Sequence, residues 1–315
     1  MMLNEQALAV ANELAGRADA ARVAVQTIAG ARVIDAGVAA AGGLEAGLAL
    51  ARVCLADRGT VALAPGADES LNLPLVFVAS DDPVRACLAS QYAGWQISVG
   101  KYFAMGSGPM RARYGKEALF DDIPGREQSP VAVGVLEGRK LPADDVVDWL
   151  SAKLQLPPEK ITLLIAPTAS LAGTIQIAAR ALETALHKLH ELKFDVNQIH
   201  SGFGTTPLLP PAKDDLAGIG RTNDAVLYGG RVHLWLRSED GAIAEIGPKV
   251  PASASSEYGQ PFAEIFKRAG HDFYKLDPLL FAPAVVTFHN LATGRSFAFG
   301  RVDVEVMRKS LQCPG

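Results

Sequence analysis

The order of apolar runs along the chain decides its fold class. Short β-like runs stand at 32–34, 60–64, 75–79, 96–99, 131–136, 161–166, 225–228, 231–237, 285–289 and 296–302. Stretches with helical spacing lie at 4–28, 44–55, 142–154, 170–192 and 303–311. A doubly wound sheet needs strand and helix in strict alternation, because each parallel strand requires a crossover. Here several strands arrive consecutively, so the pattern predicts an α+β fold. Asn4 is placed to cap the first helix, and Pro142 to open the helix after the strand at 131–136. The segment DDIPGREQSP at 121–130, with two prolines, a glycine and four charges, reads as a linker. It predicts two lobes, 1–125 and 126–315, whose segments can interleave. A Pro/Gly-rich connection is expected at 201–212.

Charge and composition remove several classes of protein. Among 315 residues, 30 are basic and 34 acidic, giving a net charge of −4. A large cationic footprint for nucleic acid is therefore not expected. Hydrophobic residues make up 49%, enough apolar surface to exclude a disordered chain. No apolar stretch is long enough for a membrane helix. Glu5, Glu13 and Asp19 replace the basic region that a signal peptide would carry there. The three cysteines, Cys54, Cys87 and Cys313, form no CxxC pair and no disulfide framework. Cys54 and Cys87 are expected as buried free thiols and Cys313 as part of a solvated tail, consistent with a reducing cytoplasm.

Familiar short motifs fail. Gly100-Lys101 lacks the glycine and hydroxyl spacing of a phosphate-binding loop, since Gly94 stands one position too far and Tyr102 follows the lysine. Gly106-Ser107-Gly108 is not a nucleophile elbow; residues 100–108 read as a tight loop or a place of close backbone approach. His187 and His190, with Glu183, lack any metal-binding frame, so no metal site is expected.

Three clusters carry more information. At 100° per residue, Leu171, Ile175, Ala178, Leu182, Ala185, Leu186 and Leu189 form one apolar stripe of the 170–192 helix. Arg180 and Glu183 share a face at i, i+3 spacing. They form either a surface ion pair or, if that face lines a cleft, a carboxylate whose acid–base state is set by a guanidinium. Ser90, Gln91, Tyr92 and Trp95, with Lys101-Tyr102-Phe103 nearby, offer stacking surfaces and fixed donors suited to a flat heteroaromatic ligand; the alternative is an aromatic core. Lys213-Asp214-Asp215 and Arg221-Thr222-Asn223-Asp224 are either loop and capping chemistry or a polar binding group.

Longer strings point further. VIDAGV (33–38), LASQYAGWQISVGKYFAMGSGP (88–109), APTASLAGTIQIAARALETALHKLHEL (166–192), GRTNDAVLYGG (220–230) and DPLLFAPAVVTFHNLATG (277–294) closely resemble the methenyltetrahydromethanopterin cyclohydrolase family, nearly end to end. The resemblance implies two α+β domains with a large pocket between them, a homotrimer and a cytoplasmic enzyme of one-carbon metabolism. The reaction implied is reversible hydrolysis of the 5,10-methenyl group of tetrahydromethanopterin to an N5-formyl group, with no metal or redox cofactor. Low charge and a load of 51 alanines suggest a bacterial setting in formaldehyde oxidation. By matching strings, the catalytic carboxylate falls on Glu183, its neighbouring arginine on Arg180 and the active-site lysine on Lys101. Ser90, Gln91, Tyr92, Trp95 and Asp224 are the expected pterin contacts, and Lys213 and Arg221 are candidates for anionic groups of the carrier's tail. The tail at 312–315 and the 201–211 stretch depart from the family pattern. The same reaction on tetrahydrofolate, and a non-catalytic pterin-binding protein, are the alternatives.

Overall fold

The computed structural model describes residues 1–66 and 71–312. The chain separates into two compact units, one of Met1–Gly59 with Arg85–Gln176, the other of Thr60–Val84 with Ile177–Gly315. Helices accompany two mixed six-stranded sheets, which is an α+β architecture. Strands are numbered along the chain.

In the first unit the sheet order is β1 (Ala24–Ile28), β2 (Ala31–Asp35), β8 (Ile161–Ala166), β7 (Ala132–Glu137), β6 (Tyr102–Ser107) and β5 (Trp95–Val99). β2, β8 and β7 run parallel, and hairpins close both edges. Helices α1 (Leu3–Gly16) and α2 (Leu44–Cys54) pack on one face through Val10, Leu14, Leu50 and Val53. α4 (Asp144–Leu154), which follows the short α3 (Met110–Tyr114), covers the other through Val146, Val147 and Leu150. Every residue of β8 is buried, as expected of a parallel strand covered on both faces, and this is why it reads as an uninterrupted apolar run.

The expected helix over 4–28 is shorter. The chain turns at Gly16, and Ala24–Ile28 pairs with Ala31–Asp35 across a two-residue turn in which Ala29 and Gly30 both have positive φ. That turn geometry fits hairpin twist, and the β-branched Val25, Thr27 and Ile28 suit the strand. Asn4 is not a cap but a fully buried tie: its side chain donates to Pro109 O and Glu127 Oε1, both at 2.7 Å, and accepts from Val133 N at 2.8 Å. The free N–H groups of Leu3 and Asn4 are capped by the Glu127 carboxylate at 2.7 and 2.9 Å.

This division differs from the expected break after residue 125. The 121–130 segment is an excursion inside the first unit, because β6 before it and β7 after it are hydrogen-bonded neighbours. Crossings between units occur instead near residues 59, 84 and 176.

The second unit has the order β12 (Ser296–Gly300), β11 (Val285–Asn290), β10 (Arg231–Leu236), β9 (Ile199–Pro207), β4 (Leu75–Ser80) and β3 (Thr60–Ala64). β10 and β11 are parallel and the other pairs antiparallel. Burial alternates along β4, β10 and β11, so one face is packed and the other half-exposed. α5 (Leu171–Ala178) leads from the first unit into α6 (Ala181–Glu191). α7 (Asp215–Gly229), α8 (Phe262–Arg268) and α9 (Val304–Gln312) enclose a core of Leu227, Tyr228, Phe262, Phe266 and Met307.

Two expectations here give way. The strand read at 225–228 is the buried end of α7, and the connection read at 201–212 begins as strand β9. Cys54 and Cys87 are buried and take part in no disulfide; Cys313 lies outside the described residues.

Candidate active site

The stripe over 170–192 is two helices, not one. α5 ends at Ala178, Arg180 N–H bonds Ile177 O at 3.0 Å, and α6 begins at Ala181 with Arg180 as its N-cap residue. Glu183 therefore sits in the first turn of a helix, among N–H groups that lack intrahelical acceptors. The helix dipole there favours a negative charge. The guanidinium of Arg180 lies 3.9 Å from Glu183 Oε2, with 7% and 5% of the two side chains exposed. Thr184 N–H bonds Arg180 O at 2.8 Å and starts the new helix.

The sheet beneath sets the position of this turn. A methyl group added at Gly202 of β9 would lie 2.5 Å from Leu182 Cδ1, so the bare backbone there is what lets Leu182 and the start of α6 approach the strand. Further along the same helix Lys188 is fully buried and its ammonium donates to Leu279 O. Burial pushes the Lys188 amine down to about 8, opposed by Asp277. Glu183 is thus carried by a helix anchored at its first turn and again further along.

Lys101 belongs to the first unit. With Gly100 it forms the two-residue turn between β5 and β6, where Val99 pairs with Tyr102, and it is exposed. Residues 102–107, expected as loop, are strand β6.

Ser90 and Gln91 end a π-helix, Val84–Gln91, and Tyr92 and Trp95 follow it; the element is rare and frequent at functional sites. Ser90 and Gln91 are fully buried, and Ser90 Oγ donates to Cys54 O at 2.5 Å. Tyr92 is half-buried. Trp95 is 7% exposed and stacks on Tyr114 with centroids 4.5 Å apart and planes at 5°. Trp149 lies against it at 5.8 Å, so Trp95 packs in an aromatic core and Tyr92 is the ring with free surface.

Asp224 is enclosed within the second unit, where its Oδ1 accepts Phe262 N–H at 2.7 Å and so caps the start of α8. Burial raises its carboxyl to about 7, against hydrogen bonds from Ser310 and Phe262 N–H that lower it. Arg221 donates to Pro210 O and Pro211 O at 3.4 and 3.2 Å. Asp214 caps α7 by accepting Ala217 N–H at 3.0 Å, and Lys213 is exposed.

Two residues with demanding environments carry no sequence signal. The Asp35 carboxylate accepts N–H groups from Gly37, Val38, Ala39 and Ala40 at 2.7–3.0 Å. Burial alone would raise its pKa, and these four donors hold it below the ordinary carboxylate value. Arg111 is buried completely, and its main-chain partners are carbonyls 21 and 23 residues upstream. A cavity of about 390 Å³ in the first unit is lined by Arg113, Lys116, Arg126 and Lys153 among others, and by none of the expected site residues. Among the described residues no group of three or more His, Cys, Asp or Glu side chains is placed to hold a metal ion, and no helix is long and apolar enough to cross a membrane.

A buried carboxylate beside a guanidinium at a helix start is an arrangement that acid–base catalysis uses and that structural ion pairs also adopt, so the class of this α+β chain is read from its relatives. A family model described as "Cyclohydrolase (MCH)" matches residues 2–311. A methenyltetrahydromethanopterin cyclohydrolase from Rhodopirellula baltica is 50% identical over 289 residues, covering 90% of this chain and 87% of that protein. Proteins of the same name from Methylobacillus flagellatus and Methanococcoides burtonii are 42% and 39% identical, each over 98% of this chain and covering 94% and 97% of their own lengths. The chain belongs to the methenyltetrahydromethanopterin cyclohydrolase family.

Proposed function

We propose that the chain reversibly hydrolyses 5,10-methenyl-tetrahydromethanopterin to N5-formyl-tetrahydromethanopterin. The observation that carries the reading is the buried Arg180–Glu183 pair at the start of α6, in a chain whose relatives are named for this substrate over nearly their whole length. Neither the tetrahydrofolate reaction nor a non-catalytic binding role draws comparable support.

The methenyl carbon is an amidinium-like cation, already electrophilic. What remains is to make a nucleophile from water and to move protons between nitrogens. Glu183 takes a proton as water adds to that carbon, and the hydroxylated adduct forms. The proton passes to N10, the C–N10 bond breaks, and the hydroxyl proton leaves as the formyl carbonyl forms on N5. One water is consumed and one proton released. Arg180 keeps Glu183 ionised between steps and holds its rotamer. Lys101 hydrogen-bonds the developing oxygen, the role the family resemblance gives it. Tyr92 supplies a ring for the pterin to lie on, with Ser90, Gln91 and Trp95 shaping that segment. Asp224 serves the same end through the fold of the second unit, and Lys213 and Arg221 answer anionic groups of the tail. The reading brings with it a homotrimer acting in the cytoplasm in one-carbon metabolism, on the route that oxidises formaldehyde, without a metal or redox cofactor.

The test is optical. Purified protein mixed with the methenyl substrate bleaches its near-UV band without added metal or nucleotide; tight binding with no spectral change would leave a carrier instead.

A further inference from the structure

Arg111 is fully buried, yet it is spent entirely within one neighbourhood. Its Nη1 donates to Leu88 O at 3.0 Å and to Ser90 O at 3.3 Å, the carbonyls at the end of the π-helix. Its Nε and Nη2 grip the Glu117 carboxylate, with contacts of 2.5–3.2 Å. The guanidinium lies 5.0 Å from the centre of the Tyr92 ring and 5.7 Å from that of Phe120. The far side of the assembly closes on the next residues of the segment. A methyl group at Gly94 would lie 2.5 Å from Tyr92 Cε1 and 2.8 Å from Glu117 Oε2. Gly108 N–H adds a bond to Ser90 O at 2.9 Å.

The two main-chain bonds, the Tyr92 ring contact and the close approach at Gly94 all fall on residues 88–94, with Glu117 holding the guanidinium from the other side, and helix stability alone does not require them. A carbonyl at a helix end is commonly satisfied by water or by one side chain; a buried ion pair is an expensive substitute that contributes little net stability. What such a pair does well is fix geometry, because a planar fork bonded on several sides leaves no alternative rotamer.

We propose that Arg111 and Glu117 are positioning residues for substrate binding: together they set the angle and height of the Tyr92 ring. This rests on the reading that the segment around Tyr92 meets the pterin. Neither residue takes part in proton transfer, so their effect falls on substrate affinity rather than on turnover.

The experiment compares Glu117→Gln, Arg111→Lys and Tyr92→Ala, singly, and Glu117→Gln combined with Tyr92→Ala. Glu117→Gln raises KM about tenfold and leaves kcat nearly unchanged, since small misplacements of a binding group carry costs of that order. Arg111→Lys, which keeps the charge and loses the fork, moves KM the same way. In the Tyr92→Ala background, Glu117→Gln adds nothing further to KM. Glu117 is partly exposed, so its variant remains available if Arg111→Lys does not fold. A drop in melting temperature with KM unchanged, or additive effects with Tyr92→Ala, overturns the proposal. Hydrogen exchange of the amides at 90–94, faster in Glu117→Gln than in the parent chain, reads the positioning without any substrate, and unchanged exchange overturns it. A parent chain that leaves the methenyl band unbleached overturns the functional reading instead.

Discussion

Arg180, at the break between two helices, and Glu183, in the first turn of the second, lie 3.9 Å apart rather than along one continuous helix. The break turns an ordinary i, i+3 pair into a carboxylate in the first turn of α6, where the dipole and the free N–H groups add to the guanidinium. Both partners are nearly inaccessible to water, so screening is weak. Glu183→Gln keeps the shape and removes the carboxylate proposed as the base. Activity in the bleaching assay falls by about 10²–10⁴-fold, the usual contribution of a positioned general base, while the circular dichroism spectrum stays that of the parent. Arg180→Met lowers activity as well, because the carboxylate loses the guanidinium that holds it in place.

Gly202 lies under Leu182, and the first turn of α6 rests on that contact. Gly202→Val places two methyl groups where Leu182 now packs. The expected cost is about 1–3 kcal/mol of stability, the range for overpacking a filled site. Since Glu183 is the residue after Leu182, turnover falls with it. Leu182→Ala added to Gly202→Val recovers part of the stability in denaturant titrations.

The sequence carried the strands at 60–64 and 161–166 to the residue, because apolar composition and bounding turn residues agreed there. It misled where a single local signal served two ends. Ser201-Gly202-Phe203-Gly204 reads as loop by its glycines, yet those glycines make room for α6 over a strand. Ala225-Val226-Leu227-Tyr228 reads as a strand because a fully enclosed helix end shows no polar face. The helix break at 179–180 contains neither proline nor glycine, and the apolar stripe passes through it unmarked. The expectations for Arg180, Glu183 and Lys101 came from family strings, whereas no string pointed to Arg111. Its main-chain partners lie 21 and 23 residues upstream, and backbone acceptors leave no residue pattern.

Lys101 stands exposed at a two-residue turn, so its removal disturbs no packing. Lys101→Ala leaves the melting temperature within about a degree of the parent, as surface substitutions do. If the ammonium supports the developing oxygen, kcat drops by about 10²–10³-fold, the loss seen when such a donor is removed. Lys101→Arg restores only part of it, because the guanidinium presents its donors in a different geometry.

Asp224 makes a prediction about stability rather than rate. Its carboxyl titrates near 7 in the folded chain, chiefly through burial, and near 3.8 when free. Below about pH 4 it is neutral in both states, and burying it costs no charge. As pH rises from there toward 7, the unfolded chain gives up the proton first, so the folded state is progressively disfavoured; above 7 the loss is complete and constant. Asp224→Asn stays neutral throughout and keeps an oxygen for Phe262 N–H. Denaturant titrations at pH 5 and pH 8 should therefore show the variant gaining on the parent as pH rises, with a gap at pH 8 on the order of a few kcal/mol. Because the carboxylate is fully enclosed by α7, α8 and α9, added salt should leave that gap nearly unchanged. A gap that closes in salt, or that is equal at both pH values, would place the titrating group elsewhere.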